Sequence, residues 1–371
     1  MGAGIGGLAT AVAFEDAGVE LVVLERAQPG QRPGSGIALG PNALSALRRL
    51  GALEHVLEYG NTAAGRVVLD RRGRKLTEGP WHGAIVRRAD LYAALLGRLR
   101  TEIRYGKACT GFVESAEGIV AELEGGGTER GDLLVAAEGL RSATRARLIG
   151  DGEPIYRGAT SWRGIAECSH PLIRDRIIES WGCGERIGLQ NLGRGWTYWF
   201  VARNAPAGTR LTGAKAKEQL LEWFRGWHEP IEAVLEATEL SELLQTDLYD
   251  RNPVTRWSSA RVTLLGDAAH PMTPDLGQGA GQTIEDAVAL ADCVRGAASV
   301  ASALQEYEAR RREAAYEVMR RARRHFRLSH LGHPAACRAR NVAVKRLPAA
   351  VQLMLGVRRP ARSGGSVRPP S

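Results

Sequence analysis

The sequence is poor in cysteine and has no long apolar run. Its 371 residues include five cysteines, and no two of them form a C-x-x-C pair. Such usage is typical of a reducing compartment and argues against a zinc site or a disulfide framework. No apolar run reaches the ~20 residues of a membrane span, and no basic-then-apolar signal peptide is visible. We therefore predict a cytoplasmic protein with no metal site and no membrane span.

Nucleic-acid recognition motifs are also missing, although the formal net charge is +9. Much of the positive charge falls in "EARRREAAYEVMRRARRHFR", where arginines alternate with Ala, Met, Tyr and Phe at helical spacing. This pattern favours a solvated helix face. We expect no nucleic-acid partner.

A glycine-rich turn, "MGAGIGGLAT", stands at the first residues. A helix is predicted over 4–17, and the short apolar run "VELVVLER" after Gly18 is predicted to be a buried strand. Glycines in this pattern let the backbone approach a pyrophosphate at a helix N-terminus, and Glu25 at the strand end can accept hydrogen bonds from ribose hydroxyls. The turn therefore predicts a dinucleotide site without separating NAD from FAD. Its glycines are Gly2, Gly4, Gly6 and Gly7.

No strand precedes this turn, although such a turn normally follows one. We expect the true N-terminus to lie a few residues upstream. In the chain as written, the neighbouring runs "LVVL" and "LLVAA" would carry unpaired backbone groups, which is costly. We expect this form to bind its nucleotide poorly or to fold poorly.

A second motif, "LLGDAAHPMTPDLGQGAGQTIEDA", places Asp267 just past a strand and Gly277, Gln278 and Gly279 before a long helix. An aspartate at a strand end can bind polyol hydroxyls, and a helix N-terminus can face an electron-rich ring. This stretch closely resembles the ribityl-binding motif of the FAD-dependent aromatic hydroxylases. These are the group A flavoprotein monooxygenases, which include para-hydroxybenzoate, urate and salicylate hydroxylases.

Other stretches are similar to the same family, so that the resemblance extends from residue 2 to about residue 348. "GSGIALGPNALSALRRLG" resembles a block that lines the flavin, "VRRADLYAALL" one that reaches the FAD phosphates, and "DLLVAAEGLRSATR" the Asp-Gly motif. In the last of these, Glu138 replaces the family aspartate that serves both FAD and the nicotinamide cofactor. Together, the motifs assign these residues to FAD: Gly2, Gly4, Gly6, Gly7, Glu25, Arg26, Gly36, Ile37, Arg88, Glu138, Asp267, Pro274, Gly277, Gln278, Gly279 and Ala280.

The resemblance implies an α/β fold with a Rossmann-like FAD domain of the glutathione-reductase type and an inserted mixed-sheet substrate domain. We predict that the discontinuous FAD domain comprises 1–65, 84–152 and 255–300. The substrate domain would comprise 66–83 and 153–254, followed by C-terminal helices over 301–348 and a flexible tail over 349–371. In the substrate segment, Trp223 and Trp227 are predicted to share one helix and pack in the core.

The activity that the resemblance implies is hydroxylation of a small aromatic or heteroaromatic substrate with NAD(P)H and O2 through a C4a-hydroperoxyflavin. Epoxidation, halogenation or prenyl-chain reduction on the same fold remains an alternative, although the "WxWxIP" motif of halogenases is missing. A non-catalytic or truncated FAD-fold protein is a third reading. The protein could be a monomer or a homodimer.

Catalytic candidates follow from position relative to the expected flavin ring. Asp275 is either a base near the substrate or a loop cap. Arg186 and Tyr198 stand on two predicted paired strands and either handle the substrate or serve as a surface arginine and a core tyrosine.

Three further residues near the second motif have structural interpretations. His270 could be a metal ligand or base, but the family pattern favours a structural role. The carboxylates of Glu285 and Asp286 are predicted to complement a helix N-terminal dipole.

Overall fold

The computed structural model describes residues 1–30 and 35–347 of an α/β protein. The predicted flexible tail, 349–371, lies outside the described residues. In the described ranges the α-helices are α1 (Ile5–Asp16), α2 (Pro41–Arg49), α3 (Leu53–Tyr59), α4 (Arg88–Leu96), α5 (Ala143–Leu148), α6 (Gly213–Phe224), α7 (Ile231–Glu236), α8 (Gly279–Gly296), α9 (Val300–Ser329) and α10 (Pro334–Arg346).

The strands of the same ranges are β1 (Val23–Glu25), β2 (Gly36–Leu39), β3 (Asn61–Asp70), β4 (Lys75–Arg87), β5 (Ile103–Tyr105), β6 (Cys109–Glu114), β7 (Ile119–Leu123), β8 (Gly127–Gly131), β9 (Leu134–Ala136), β10 (Ile155–Glu167), β11 (Arg176–Trp181), β12 (Glu185–Gly193), β13 (Trp196–Asn204), β14 (Leu244–Asp250) and β15 (Val262–Leu264).

The largest sheet is mixed and has the order β14-β10-β13-β12-β11-β3-β4-β2. Strands β11 and β3 pair in parallel, whereas the other neighbours pair antiparallel. Along β13, Tyr198 and Phe200 face one side, and Trp199 and Val201 face the other, because side chains alternate along a strand. The first pair lines a cleft, and the second packs under α6 and α7.

Four short strands form two parallel pairs, β1 with β5 and β9 with β15. The first two residues lie between the pairs. The Gly2 amide donates to Leu24 O at 2.7 Å, and Met1 O accepts from the Ala137 amide at 2.8 Å. The Met1 amino group also donates to Val135 O at 2.8 Å. Backbone hydrogen bonds of Met1 and Gly2 thus connect the two strand pairs.

Helices α1 and α8 pack side by side in the main core, with α9 against α8. Helix α8 is buried over most of its length, and its buried residues include the polar Gln282, Thr283 and Asp286 beside the apolar ones. Helix α9 begins with a capping box in which Ser299 and Ser302 each bond the other's backbone amide. Its arginine-rich outer face is held by ion pairs such as Arg320 with Glu317 at 3.0 Å. None of the helices in the described part of the chain is long and apolar enough to cross a membrane.

The helix predicted after the glycine-rich turn is confirmed at Ile5–Asp16, and two other predictions need correction. The strand expected over "VELVVLER" is shorter, at Val23–Glu25. The prediction that Trp223 and Trp227 share a helix is wrong, because α6 ends at Phe224 and Gly226 follows with a φ of 73°. Trp227 nevertheless packs on Phe224, with ring centroids 4.8 Å apart.

Candidate active site

A cleft runs between the N-termini of α1 and α8 and the open face of the large sheet. Its cavity volume is about 300 Å³, which lies at the lower end of the roughly 300–1000 Å³ range of small-molecule pockets. Predicted cofactor residues that line it are Gly4, Gly6, Gly36, Ile37, Arg88, Asp267, Pro274, Gly277, Gly279 and Ala280, and it is completed on the sheet side by Ser161, Arg163, Arg186, Gln190, Tyr198, Phe200 and Ala202.

The glycine-rich turn is built so that side chains are excluded from it. Gly2 has a φ of 90°, and a Cβ there would lie 2.5 Å from Ala137 O. A Cβ at Gly7 would lie 1.7 Å from Gly2 O, so the turn closes on itself too tightly for any other residue. At Gly4, by contrast, a Cβ would meet no atom within 4 Å, because this position faces the cleft. The free amides at the start of α1 therefore border open space, which suits a phosphate group.

The acidic residue at the end of β1 supports this turn directly. Glu25 is buried, its Oε2 accepts the Ala3 amide at 2.6 Å, and its Oε1 accepts the Ala27 amide at 2.9 Å. The predicted contact of Glu25 with a ribose stays a prediction. Arg26 follows immediately and is exposed.

Asp267 lines the cleft, just after β15. Solvent in the cleft reaches its carboxylate, although protein surrounds it on the other sides. Desolvation by the surrounding protein raises the pKa of the Asp267 carboxyl, and His270 and Arg88 oppose the rise. Among the described residues, none donates a hydrogen bond to this carboxylate. An acceptor in such a position is suited to the hydroxyl groups of a polyol chain.

The N-terminus of α8 forms the neighbouring wall. The chain turns through Pro274 into Gly277, which has a φ of 58° and whose amide donates to Pro274 O at 2.9 Å. Gln278 is the N-cap, and its side chain accepts no capping hydrogen bond, so the first amides of α8 stay available. The positive end of this helix dipole therefore faces the cleft at Gly279 and Ala280.

Gly36, which the resemblance assigns to the flavin, lies in β2 at the edge of the large sheet. A Cβ on Gly36 would lie 2.4 Å from Cγ of Tyr198. Only glycine therefore lets the tyrosine ring lie flat against β2. Gly36 and Tyr198 both line the cleft, and their predicted roles toward flavin and substrate stay predictions.

Glu138 does not point along the cleft. Its Oε2 accepts from Ser142 Oγ at 2.6 Å and from the Thr144 amide at 3.1 Å, so it stabilises the start of α5. Its neighbours Ala137 and Gly139 line the cleft instead.

Arg186 is fully buried, so the interpretation of a surface arginine is wrong. Its Nη1 donates to Glu179 Oε1 and its Nη2 to Asp275 Oδ1, each at 2.8 Å. Burial raises the pKa of the Asp275 carboxyl, but Arg186 and His325 outweigh it and bring the pKa to about 2. Asp275 is thus an ionised partner of Arg186.

The residues behind this arginine were not predicted from the sequence. Glu179 in β11 also pairs with Arg66, and Trp181 Nε1 donates to it at 2.7 Å. His325 of α9 lies 3.7 Å from Asp275 and 3.8 Å from Glu179, and burial lowers its pKa. A charged residue inside the apolar run "RIIESW" was the one sequence signal that could have drawn attention to Glu179.

His270 has a structural role, as predicted. It is fully buried, and its Nε2 lies 2.5 Å from Asp286 Oδ2, which also accepts the Gly266 amide at 3.2 Å. The prediction that Glu285 and Asp286 complement a helix N-terminus is wrong, because both lie about two turns inside α8 and pair with Arg311, at 3.2 and 2.7 Å respectively. The described residues contain no group of three or more His, Cys, Asp or Glu that could hold a metal ion.

Comparison with known proteins agrees with these features. A family model described as an FAD binding domain matches residues 1–166 and 183–322. The aurachin C monooxygenase/isomerase of Stigmatella aurantiaca is 40% identical over 331 residues, covering 86% of this chain and 85% of that protein. The FAD-dependent urate hydroxylase of Klebsiella pneumoniae subsp. pneumoniae is 31% identical over 343 residues, covering 89% of each. The crystal structure of Klebsiella pneumoniae HpxO complexed with FAD and uric acid has a TM-score of 0.87 and 29% identity, covering 96% of this chain and 94% of that chain.

Proposed function

Because the chain belongs to the FAD-dependent aromatic hydroxylase family of monooxygenases, we propose that it uses NAD(P)H and O2 to hydroxylate a small aromatic or heteroaromatic substrate. When bound, FAD supplies the transfer of electrons from NAD(P)H to O2. The relatives named as acting on urate and aurachin C support a ring-shaped substrate.

The cleft suits FAD from one end to the other. The open face of Gly4 and the start of α1 would hold the pyrophosphate. The carboxylate of Asp267 would accept hydrogen bonds from the ribityl hydroxyls. The N-terminus of α8 would stabilise negative charge on the adjoining edge of the flavin ring.

The proposal for the substrate-binding side of the cleft depends on one observation. Three buried polar atoms of cleft-lining residues have no hydrogen-bond partner among the described residues, namely Arg163 Nε, Arg186 Nε and Gln190 Oε1. Leaving such groups unpaired costs roughly 1–3 kcal/mol each. These atoms have almost no surface open to the cleft, but the polar side chains that carry them line it. Such a lining suits a planar ring with carbonyl or carboxylate oxygens and an N–H or O–H.

Tyr198 and Asp275 would then have distinct roles. Burial raises the pKa of the Tyr198 phenol, which therefore keeps its proton at neutral pH and can donate a hydrogen bond to the substrate. Asp275 orients Arg186 from behind, as a positioning residue. Phe200, over which the Arg186 guanidinium lies at 5.0 Å, gives the pocket an apolar surface for a ring.

The test is a screen of aromatic acids, phenols and purines for stimulated NAD(P)H oxidation by the FAD-loaded protein, under ¹⁸O2. We expect at least one compound to stimulate oxidation and to gain one labelled oxygen on a ring carbon. Arg186→Lys and Tyr198→Phe should raise KM or lower coupling. Arg203→Lys on the opposite face of β13, where Arg203 lies 3.6 Å from Glu185, should not.

Three results would contradict the proposal. In the first, the label enters an epoxide. In the second, NAD(P)H is consumed at the same rate with and without every compound. In the third, the folded protein fails to bind FAD.

A further inference from the structure

Two cysteines that lie 154 positions apart in sequence meet at the surface of the large sheet, outside the cleft. Cys183 occupies the tight turn between β11 and β12, and Cys337 lies in the first turn of α10. Their sulfur atoms are 2.7 Å apart, and both are free thiols. The cysteine count had predicted no such pair, because sequence spacing does not report contacts made by tertiary folding.

Contacts on both sides hold the two segments together. Arg340 of α10 donates from Nη2 to Gly182 O at 2.8 Å, and its guanidinium lies 5.1 Å from the Trp181 ring centroid. Asn204 of β13 donates to His330 O at 2.9 Å, just before α10. The thiols are therefore brought together by elements that are anchored independently of the sulfur contact.

The two thiols differ in their surroundings. Cys183 is half-buried and reachable from solvent, whereas Cys337 is 6% exposed. The Cys337 thiol is also near Leu331 O, at 3.0 Å. Burial and the neighbouring Cys183 raise the pKa of Cys337, so it stays protonated at neutral pH. An accessible thiol in contact with a buried one is the arrangement of an attacking and a resolving cysteine.

We propose that Cys183 and Cys337 form a peroxide-sensitive modification site that closes to a reversible disulfide. Cys183 loses its proton, its thiolate attacks one oxygen of hydrogen peroxide, and the O–O bond breaks. Cys183 becomes a sulfenic acid, and the departing hydroxide takes up the released proton and leaves as water. Cys337 sulfur then attacks the Cys183 sulfur, displaces the hydroxyl as a second water and loses its proton. Two thiols are oxidised by two electrons, and one peroxide is reduced to two waters.

The disulfide would connect α10 to the strand that supports the cleft. Trp181, next to the turn, donates to Glu179, and Glu179 holds Arg186. Helix α10 covers Trp181 through Val344 and Arg340. Oxidation would therefore link α10 covalently to the turn after β11, the strand that carries Glu179, without adding a group to the cleft itself.

The test treats the full-length, reduced protein with a small excess of hydrogen peroxide and then titrates thiols in denaturant. Free thiols should fall from the five of the sequence to three. The intact mass should fall by two hydrogen atoms, and a non-reduced digest should contain the Cys183 peptide joined to the Cys337 peptide. The thermal midpoint should rise by several degrees, because the bond closes a long loop, and dithiothreitol should reverse every change.

Matched variants separate this pair from general thiol oxidation. Cys168 is also half-buried, so Cys168→Ser should still lose two thiols, whereas Cys183→Ser and Cys337→Ser should form no cross-link. The proposal is overturned by five remaining thiols in the treated wild type, by oxygen adducts on Cys183 without a cross-link, or by a cross-link to another cysteine. The peptide map of the wild type decides the question even where a variant folds poorly.

Discussion

Asp275→Asn tests whether this carboxylate positions Arg186 or acts as a base. The native carboxylate is buried and accepts from Arg186 at 2.8 Å. Its pKa is about 2 against an ordinary 3.8, so roughly 2 pKa units separate the folded and unfolded states. At about 1.4 kcal/mol per unit, the ionised form contributes roughly 2–3 kcal/mol to folding. We expect Asp275→Asn to lower the free energy of unfolding by this amount at neutral pH.

The pH dependence has a definite sign. Because the folded pKa lies below the unfolded one, the contribution is fully present above the unfolded pKa of 3.8 and is lost as the pH falls towards 2. The difference between wild type and variant should therefore be constant from pH 6 to pH 8. Urea unfolding followed by tryptophan fluorescence at three pH values in that range measures it.

The matched control is Asp292→Asn. Asp292 also pairs with an arginine, Arg49, at 2.6 Å, but the two side chains are 28% and 51% exposed. Solvent screens such a pair, and we expect a change of at most about 1 kcal/mol. A wild-type-minus-variant difference for Asp275 that changes between pH 6 and pH 8 would show that Asp275 titrates near neutrality. That result, or a loss no larger than that of the control, would refute the positioning role.

Three further predictions follow from the same geometry. Gly36→Ala should lower the free energy of unfolding by roughly 1–3 kcal/mol, because the new Cβ overpacks against Tyr198, and should lower the FAD content of the purified protein. The control Gly127→Ala places no atom within 4 Å of the new Cβ and should change neither quantity. Asp267→Ala should raise the Kd for FAD about 10–100-fold in a fluorescence titration, because the ribityl hydroxyls lose their acceptor. The thermal midpoint of the FAD-free protein should not fall. An unchanged Kd would contradict the ribityl role. Asp286→Asn should lower the free energy of unfolding in urea by roughly 3–5 kcal/mol, because it leaves His270 and Arg311 without their shared charged partner. The control Glu313→Gln, at an exposed position on α9, should change this free energy very little. Equal losses in the two variants would contradict a special role for the buried carboxylate.

The FAD side of the cleft was predictable because its determinants are local. The first turn, the turn after Asp267 and the start of α8 each lie within a short stretch, where glycine spacing and the next helix are visible together. The long helix predicted after the second glycine motif is observed at Gly279–Gly296. Backbone amides, which any sequence supplies, do much of the binding at such turns.

The substrate side was only partly predictable. Arg186 and Tyr198 were predicted on paired strands, but the burial of Arg186 depends on Glu179 in β11, Asp275 in the second motif and His325 in α9. These residues come from distant parts of the chain. The same holds for Asp286, whose partner His270 lies sixteen residues away on a different element.

By itself, the sequence determined the class of fold, the FAD turns and the family, because each rests on spacing within one stretch of chain. Tertiary structure alone decided which charges became buried pairs and that Cys183 meets Cys337. The physical reason is that a side chain's pKa and partners depend on what other elements bring to it in space. Sequence periodicity reports only which face of its own element a residue occupies.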